Sequence, residues 1–466
     1  MFEMKGKFTN ARIMIDNIES ECIAQIQRMI NHPAFTNQVR IMPDTHAGKG
    51  SVIGFTMPMN PTKLIPNVVG YDVGCGMFAM PFDKDMLKIS LEEFDIKIRK
   101  RVPFGFETND DSLIHMKDQF PWRELQSSVS KFCANYQLYT GKVIAPPRYS
   151  MDWVTDMADR VGISLSRLIN SIGTLGGGNH FIEVGIAEQS GDLWITVHTG
   201  SRNLGKKVCE YWQNIAEKKL RKLTNVDMRK EIDELRKTLK DKSQMQTKIE
   251  EIKKGYHLGI EKELTFLEGE DTIGYMFDMI FAQKYAEFNR RVIMRSIFLH
   301  DLKPNGEAIE SVHNYISPRD MIIRKGAIES YVGQRQIIPF NMRDGILIVE
   351  GLSSMDWNFS APHGAGRVMS RSKAKKELNV DVFTGQMEGI YSTSVNKNTL
   401  DEAPDSYKDC KLIEDAIGPT CMIIDRVKPI MNLKDNNEKF SWKEKREQMK
   451  LDKKKTRKKR KEKYEY

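Results

Sequence analysis

An α+β fold, one large domain of mixed β-sheets and helices carrying an inserted helical arm, is predicted by three observations. Short β-prone runs broken by glycine fill residues 11–200 and return over 312–427. Between them, from Asn203 to about Arg291, the chain turns helical. No regular strand–helix alternation of the doubly wound kind occurs, which argues against a parallel sheet with crossover helices. The two β-rich parts are therefore assigned to one domain over 1–434, interrupted by an arm at about 213–265 and followed by a tail over 435–466.

The first β-rich part reads as strands in "VRIMPDTHAGKGSVIGFTMP", "NVVGYDVGCGMFAMPF" and "HFIEVGIAEQSGDLWITVHTG". Helical stretches such as "SLEEFDIKIRKRV" and "SLSRLINSI" are interspersed. In the arm, Met228, Ile232, Leu235 and Leu239 alternate spacings of four and three, and Ile249 with Ile252 resumes the pattern after "KDKSQMQ". That is a narrow apolar seam on a long helix or helical hairpin projecting from the body, either a solvated arm or a surface for RNA or a partner protein. The next segment, "GYMFDMIFAQKYAEFNRRVIMRSI", is apolar on a wide face and is expected to be a buried helix.

With 466 residues, 40% hydrophobic and 9% aromatic, the chain can bury one large core or two ordinary ones. The six cysteines, Cys22, Cys75, Cys133, Cys209, Cys410 and Cys421, lie far apart without a CxxC pair, so disulfides are not expected and a reduced compartment is. The N-terminus lacks a signal-peptide apolar region and no run is long enough to span a membrane. A cytoplasmic protein is the expectation, with no membrane partner and monomer as the default. From Lys443 to Tyr466 there are thirteen Lys or Arg against five Asp or Glu, which accounts for +8 of the chain's net +9. The basicity thus belongs to a tail expected to be disordered, which is either a solvated end or one that attracts RNA phosphates.

Four of the nine histidines stand in marked settings: His180 in "GTLGGGNHFIEV", His198 in "VHTGSRNLG", His313 in "VHNYIS" and His363 in "SAPHGAGR". "YDVGCGM" adds Asp72 and Cys75. A thiolate with imidazoles and one carboxylate suits a borderline-soft cation, Zn, Mn, Fe or Co, and a thiolate can bridge two ions. The wide separation of these residues excludes a local finger, so the tertiary fold must assemble any site. The glycine clusters permit tight turns and exposed N–H groups for phosphate oxygens. Arg202, Arg324, Lys325, Arg367 and Arg371 place cations near the same motifs. Together these features point to phosphoryl or nucleotidyl transfer.

"MPDTHAGKGSVIG", "GYDVGCGM", "GTLGGGNHFIEV", "VHTGSRNLG", "HNYIS", "RKGA" and "SAPHGAGRVMSR" occur in an order and with flanks that closely resemble the RtcB-type RNA ligases, over about residues 40–434. The resemblance implies an RNA-repair enzyme that uses GTP and manganese. Such an enzyme joins an end carrying a 2′,3′-cyclic phosphate or 3′-phosphate to a 5′-hydroxyl end. It implies that Asp72, Cys75, His180, His198 and His313 ligate two manganese ions, with Cys75 bridging. His363 resembles the nucleophile that takes GMP from GTP through a P–N bond, and Asn179 the contact to the α-phosphate. Arg202, Lys325, Arg367 and Arg371 are expected at RNA ends or migrating phosphates. Gly364 and Gly366 flank the nucleotide with Arg367, and Glu183 and Lys434 are placed to read its guanine or ribose.

Two departures qualify the likeness. After "IIP" the chain reads Phe340, Asn341, Met342 where many members have Gly-Ser-Met, so base contacts are expected to differ, and GTP preference carries over less directly than histidine guanylylation. Family chains commonly end in Lys-Gly, whereas Lys434 is followed by Asp435 and the basic tail. The same residues also fit a metal-dependent phosphoesterase that opens cyclic phosphates without sealing. A catalytically silent RNA-binding subunit is a third reading, disfavoured by intact candidates for every ligand and for the nucleophile. The physiological RNA and the need for an activating protein are open at this point.

Overall fold

Two antiparallel-dominated sheets and one buried helix set the frame. The computed structural model describes residues 1–110, 112, 115–239, 244–255, 260–298 and 302–435. The basic tail beyond Asp435 and two stretches of the expected arm, 240–243 and 256–259, lie outside the described residues. The fold is α+β.

The larger sheet has seven strands. In spatial order they are Arg335–Pro339, Ile346–Gly351, Cys421–Leu433, Phe181–Ala187, Leu193–Thr199, Gly76–Phe82 and Ile309–Val312, and every neighbouring pair is antiparallel. The sheet curls until its two edge strands meet, where the Ile337 N–H donates to Ser311 Oγ at 2.6 Å. Its inner face is filled by Met77, Ala79, Phe181, Trp194, Ile337 and Ile348 from those same strands. With both faces covered, strand Leu193–Thr199 is buried at every position, which is why its sequence does not alternate.

The second sheet has six strands in the order Phe2–Lys5, Asn10–Ile13, Val39–His46, Ile53–Pro58, Ile322–Lys325 and Tyr315–Ile316. Only Asn10–Ile13 and Val39–His46 run parallel. A small ladder of Ala327–Glu329 with Ser360–Pro362 bridges towards the larger sheet.

The apolar segment forms helix Glu270–Phe298 and joins the two cores. Tyr275, Met276, Met279 and Phe281 belong to the larger one, while Ile293, Met294 and Ile297 pack under the seven-stranded sheet. Among its buried polar residues Asp278, 1% exposed, accepts from Arg160 Nη2 at 2.6 Å and from Trp212 Nε1 at 2.7 Å. Helix Asn203–Thr238 starts in the core, burying Leu204, Val208, Cys209 and Trp212, so its base precedes the expected arm boundary. Farther out, Ile232 is buried and Met228, Leu235 and Leu239 are half-buried, and helix Met245–Gly255 packs back with Ile249 and Ile252 half-buried. Among the described residues no helix is long and apolar enough to cross a membrane.

Candidate active site

Antiparallel pairing puts the start of one strand beside the end of its neighbour, and that geometry gathers the marked residues. Cys75 immediately precedes Gly76–Phe82 and His180 precedes Phe181–Ala187. His198 is the next-to-last residue of Leu193–Thr199, and His313 follows Ile309–Val312. The register pairs Phe181 and Met77 with His198 and Gly76 with Val312, so all four residues sit at one end of four adjacent strands. The His313 N–H donates to the Cys75 carbonyl at 2.8 Å. Asp72 joins them from a turn in which the Cys75 N–H donates to its carbonyl at 3.1 Å. The carboxylate lies so close to Gly200 that any Cβ there would collide with it.

Two overlapping groups of possible metal ligands result: Asp72, Cys75 and His180, and Cys75, His198 and His313. Cys75 belongs to both. Its Sγ is 3.7 Å from His180 Nε2 and 3.3 Å from His198 Nε2. His180 Nδ1 lies 2.9 Å from the Leu175 carbonyl and His198 Nδ1 lies 3.2 Å from that of Asn179. A carbonyl only accepts, so both rings carry their proton on Nδ1 and turn the Nε2 lone pair inward. His180 Nε2 then faces Asp72 Oδ2, another acceptor, at 3.0 Å. Asp72 Oδ1 and His313 Nδ1 are buried without a hydrogen-bond partner among the described residues. Inward-facing acceptors of this kind fit a cation. Burial, with Asp72 adding to it, pushes the Cys75 thiol well up, and burial holds His198 and His313 well below the usual imidazole value. A divalent ion would convert the former to thiolate and needs the latter neutral.

His363 follows strand Ser360–Pro362, and its ring centroid is 4.8 Å from that of His313. Its Nδ1 is 2.6 Å from Asp44 Oδ2, which also accepts the His363 backbone N–H at 3.2 Å. Asp44 is fully buried, so its carboxylate fixes both the backbone and the ring and leaves Nε2 as the free nitrogen. Gly366, at φ +74°, has its Cα so close to the Asp44 carbonyl that a side chain could not fit. His363, Gly364 and Gly366 line a cavity of about 280 Å³ that also reaches Asp72, Cys75, His198 and His313.

The opposite wall of this cavity is polar and tightly cross-linked. Lys434 Nζ donates to the Asn179 carbonyl at 3.2 Å and to Glu402 Oε2 at 3.0 Å, and stands 5.0 Å from the Phe181 ring centre. Glu402 also accepts from Arg371 Nη1 at 2.8 Å, Tyr407 Oη at 2.7 Å and Arg367 Nη1 at 3.5 Å. Burial alone would raise the Glu402 carboxyl, but Lys434, Arg371 and Arg367 outweigh it and hold the group far below the usual carboxylate range. Glu183 accepts from Asn432 Nδ2 at 2.7 Å, while its Oε1 and Asn432 Oδ1 are buried without partners among the described residues. Burial pushes Glu183 up to about 8, against the lowering effects of Asn432 and Lys434. Phe340, Asn341 and Met342 also line the cavity, so the departure from the family pattern falls on the site itself.

Arg202, Lys325 and Arg324 are placed differently. Arg202 Nη2 donates to the Gly105 carbonyl at 2.9 Å, behind Asp72, and its Nε is buried without a partner among the described residues. Lys325 Nζ donates to the carbonyls of Lys49, Ser51 (3.2 Å) and Asn67 (3.1 Å). Arg324 pairs with Asp320 at 2.8 Å inside the six-stranded sheet. None of the three lines the cavity. Sequence reasoning passed over Asp44, although it lies in the quoted "MPDTHAGKG", and over Glu402 and Tyr407, which lie in a segment with no histidine and no glycine cluster.

Comparison with known proteins agrees with this arrangement. The family model described as tRNA-splicing ligase RtcB matches residues 25–435. The RNA-splicing ligase RtcB of Escherichia coli (strain K12) is 28% identical over 443 residues, covering 90% of this chain and 95% of that protein. The tRNA-splicing ligase RtcB of Aeropyrum pernix is 25% identical over 410 residues, covering 79% and 82% respectively, and that of Nanoarchaeum equitans 24% over 489 residues, covering 89% and 92%. Since the match takes in every segment that builds the cavity, from the Asp44 strand to Lys434, the chain belongs to the RtcB family of tRNA-splicing ligases.

Proposed function

We propose that this protein seals RNA, joining an end with a 2′,3′-cyclic phosphate or 3′-phosphate to a 5′-hydroxyl end, with GTP as co-substrate and two manganese ions. The observation that supports this best is His363, held by the buried Asp44 carboxylate at 2.6 Å, in the same cavity as a cluster of potential ligands that share the Cys75 sulfur. Asp72, Cys75 and His180 would hold one ion and Cys75, His198 and His313 the other; bound there, they would polarise the phosphate and offset charge on the departing pyrophosphate.

Asp44 accepts a hydrogen bond from the His363 Nδ1–H, so that Nε2 presents its lone pair to the α-phosphorus of GTP. His363 forms a P–N bond there as pyrophosphate leaves, and Asp44 balances the positive charge that the ring acquires. An oxygen of the RNA 3′-phosphate then displaces His363 from phosphorus, returning the neutral imidazole and leaving the guanylate on the RNA end. The 5′-hydroxyl attacks the RNA 3′-phosphorus, and GMP departs with the electron pair of the broken P–O bond. For a cyclic end, water first opens the ring to a 3′-phosphate.

Asn179, Arg367 and Arg371 are assigned to phosphates from their places on the cavity wall, and Glu183 with Lys434 to the base or ribose. Arg202 and Lys325 reach RNA only if their carbonyl bonds open. The unpaired cysteines fit a cytoplasmic setting, and a monomer that works with or without an activating protein completes the reading. The relatives named for tRNA splicing make cleaved tRNA one candidate substrate.

The test is incubation of metal-stripped protein with α-labelled GTP, with and without manganese, followed by a denaturing gel beside His363→Ala. Manganese-dependent, acid-labile label that is absent from the variant is expected. Bound metal without label, with ATP also tried, would overturn the guanylylation reading in favour of cyclic-phosphate hydrolysis.

A further inference from the structure

Helix Glu270–Phe298 buries a wide apolar face, yet two adjacent residues in its C-terminal half, Asn289 and Arg290, are polar and both 0% exposed. Neither lines the cavity. Burying an amide and a guanidinium is costly unless their donors and acceptors are met, and here they are met by the backbone of the ligand-bearing segments.

Arg290 Nη1 donates to the Gly74 carbonyl at 2.8 Å, in the peptide that leads into Cys75, and to the Thr199 carbonyl at 3.0 Å, one residue beyond His198. Its Nε and Nη2 donate to Glu310 Oε1 at 3.1 and 2.8 Å, on the strand that delivers His313. Asn289 Oδ1 accepts from the N–H groups of Gly173 and Thr174 at 2.8 and 3.2 Å. Its Nδ2 donates to the Thr174 carbonyl at 3.1 Å and to that of Gly200 at 3.4 Å. The residue after Thr174 is Leu175, whose carbonyl orients His180 Nδ1, and Gly200 is the residue against which Asp72 packs. Two consecutive side chains thus hold all four chain segments that carry the five ligands.

We propose that Asn289 and Arg290 are positioning residues of the metal centre, fixing the relative placement of the Asp72–Cys75 turn, the 173–180 loop, the 198–200 strand end and the His313 strand. This rests on the metal reading given above. A helix interior is the most rigid place from which to do it, and a guanidinium suits the task because its planar fork serves three acceptors at once. Outer partners of this kind, when lost, typically cost metal sites about 10–100-fold in affinity.

The test compares full-length wild-type protein with Asn289→Ala, Arg290→Lys and, as a control on the same helix, Met279→Ala, which removes a fully buried apolar side chain of the larger core that makes no hydrogen bond to a ligand-bearing segment. Manganese is titrated calorimetrically into the metal-free proteins, and urea midpoints are measured on the same samples. Asn289→Ala keeps the Arg290–Glu310 pair and serves if Arg290→Lys does not fold. The expected result is manganese affinity at least about tenfold weaker in the two test variants, with affinity unchanged in Met279→Ala despite a comparable fall in urea midpoint. Test variants that bind manganese like wild type while losing stability as the control does would overturn the positioning role. Wild-type protein that takes up no manganese would instead overturn the metal reading, and this inference with it.

Discussion

Asp44 has no access to solvent and two hydrogen bonds to His363, so its charge is the nearest compensation for any cation formed on that ring. Asp44→Asn keeps the shape and removes the charge; it should slow labelling by GTP by about two orders of magnitude in single-turnover assays while leaving manganese content intact. An unchanged rate would assign Asp44 to structure alone. Cys75→Ala, by contrast, takes a ligand from both groups, and elemental analysis should find neither ion retained. Glu183 offers a pH test. Its carboxyl moves from the usual 4.5 up to about 8 through burial, so the folded, ligand-free protein binds a proton that the unfolded chain has released between those values. Stability therefore falls as pH rises through that window, by at most about 1.4 kcal/mol per unit, and Glu183→Gln should flatten the decline of the thermal midpoint and be the more stable protein above pH 8. These residues differ in how readable they were. Cys75 and the four histidines announce themselves by rarity and by glycine, asparagine or arginine neighbours. Asp44 is an ordinary carboxylate in a motif that draws attention for its glycines, and Glu402 acquires its partners only when Lys434, Arg367 and Arg371 converge on it in space.

Helices and strands were legible where their periodicity was strong. The apolar run 274–297 reads as a buried helix and is one, and the spacing of Met228, Ile232, Leu235 and Leu239 reads as a seam and lies on one. The curl of the seven-stranded sheet was not legible, because it depends on the meeting of edge strands Arg335–Pro339 and Ile309–Val312, which no local pattern encodes. Nor did Asn289 and Arg290 stand out, although a polar pair inside an apolar helix was a usable signal. Helix Asn203–Thr238 combines two environments, and its mutations should divide accordingly. Trp212, which packs on Gly274 and donates to Asp278, belongs to the base, so Trp212→Ala should lower global stability by about 3–5 kcal/mol in urea unfolding. Ile232→Asp in the outer seam should loosen helicity locally and leave manganese uptake unchanged. Loss of metal binding in the latter would tie the arm to the catalytic body.

For the whole molecule, ligand-free and loaded states should differ in stability by mass action: at a hundred times the dissociation constant, manganese binding to the folded state alone adds about 2.7 kcal/mol. A rise in thermal midpoint with manganese that persists in Cys75→Ala would place the ions elsewhere. The same assembly of distant segments bears on how the protein is made. The candidate ligands arrive from Asp72 to His313, the proposed nucleophile at 363, and the cavity's last wall residue at Lys434, near the end of the described chain. Contacts so far apart in sequence form slowly and late. A ribosome that has released only the first half of the chain holds Cys75 and His198 without His313, so a fragment of that length cannot complete the proposed ion cage. On the proposed reading, the choice of metal would wait until His313 has emerged and the four strand ends have met.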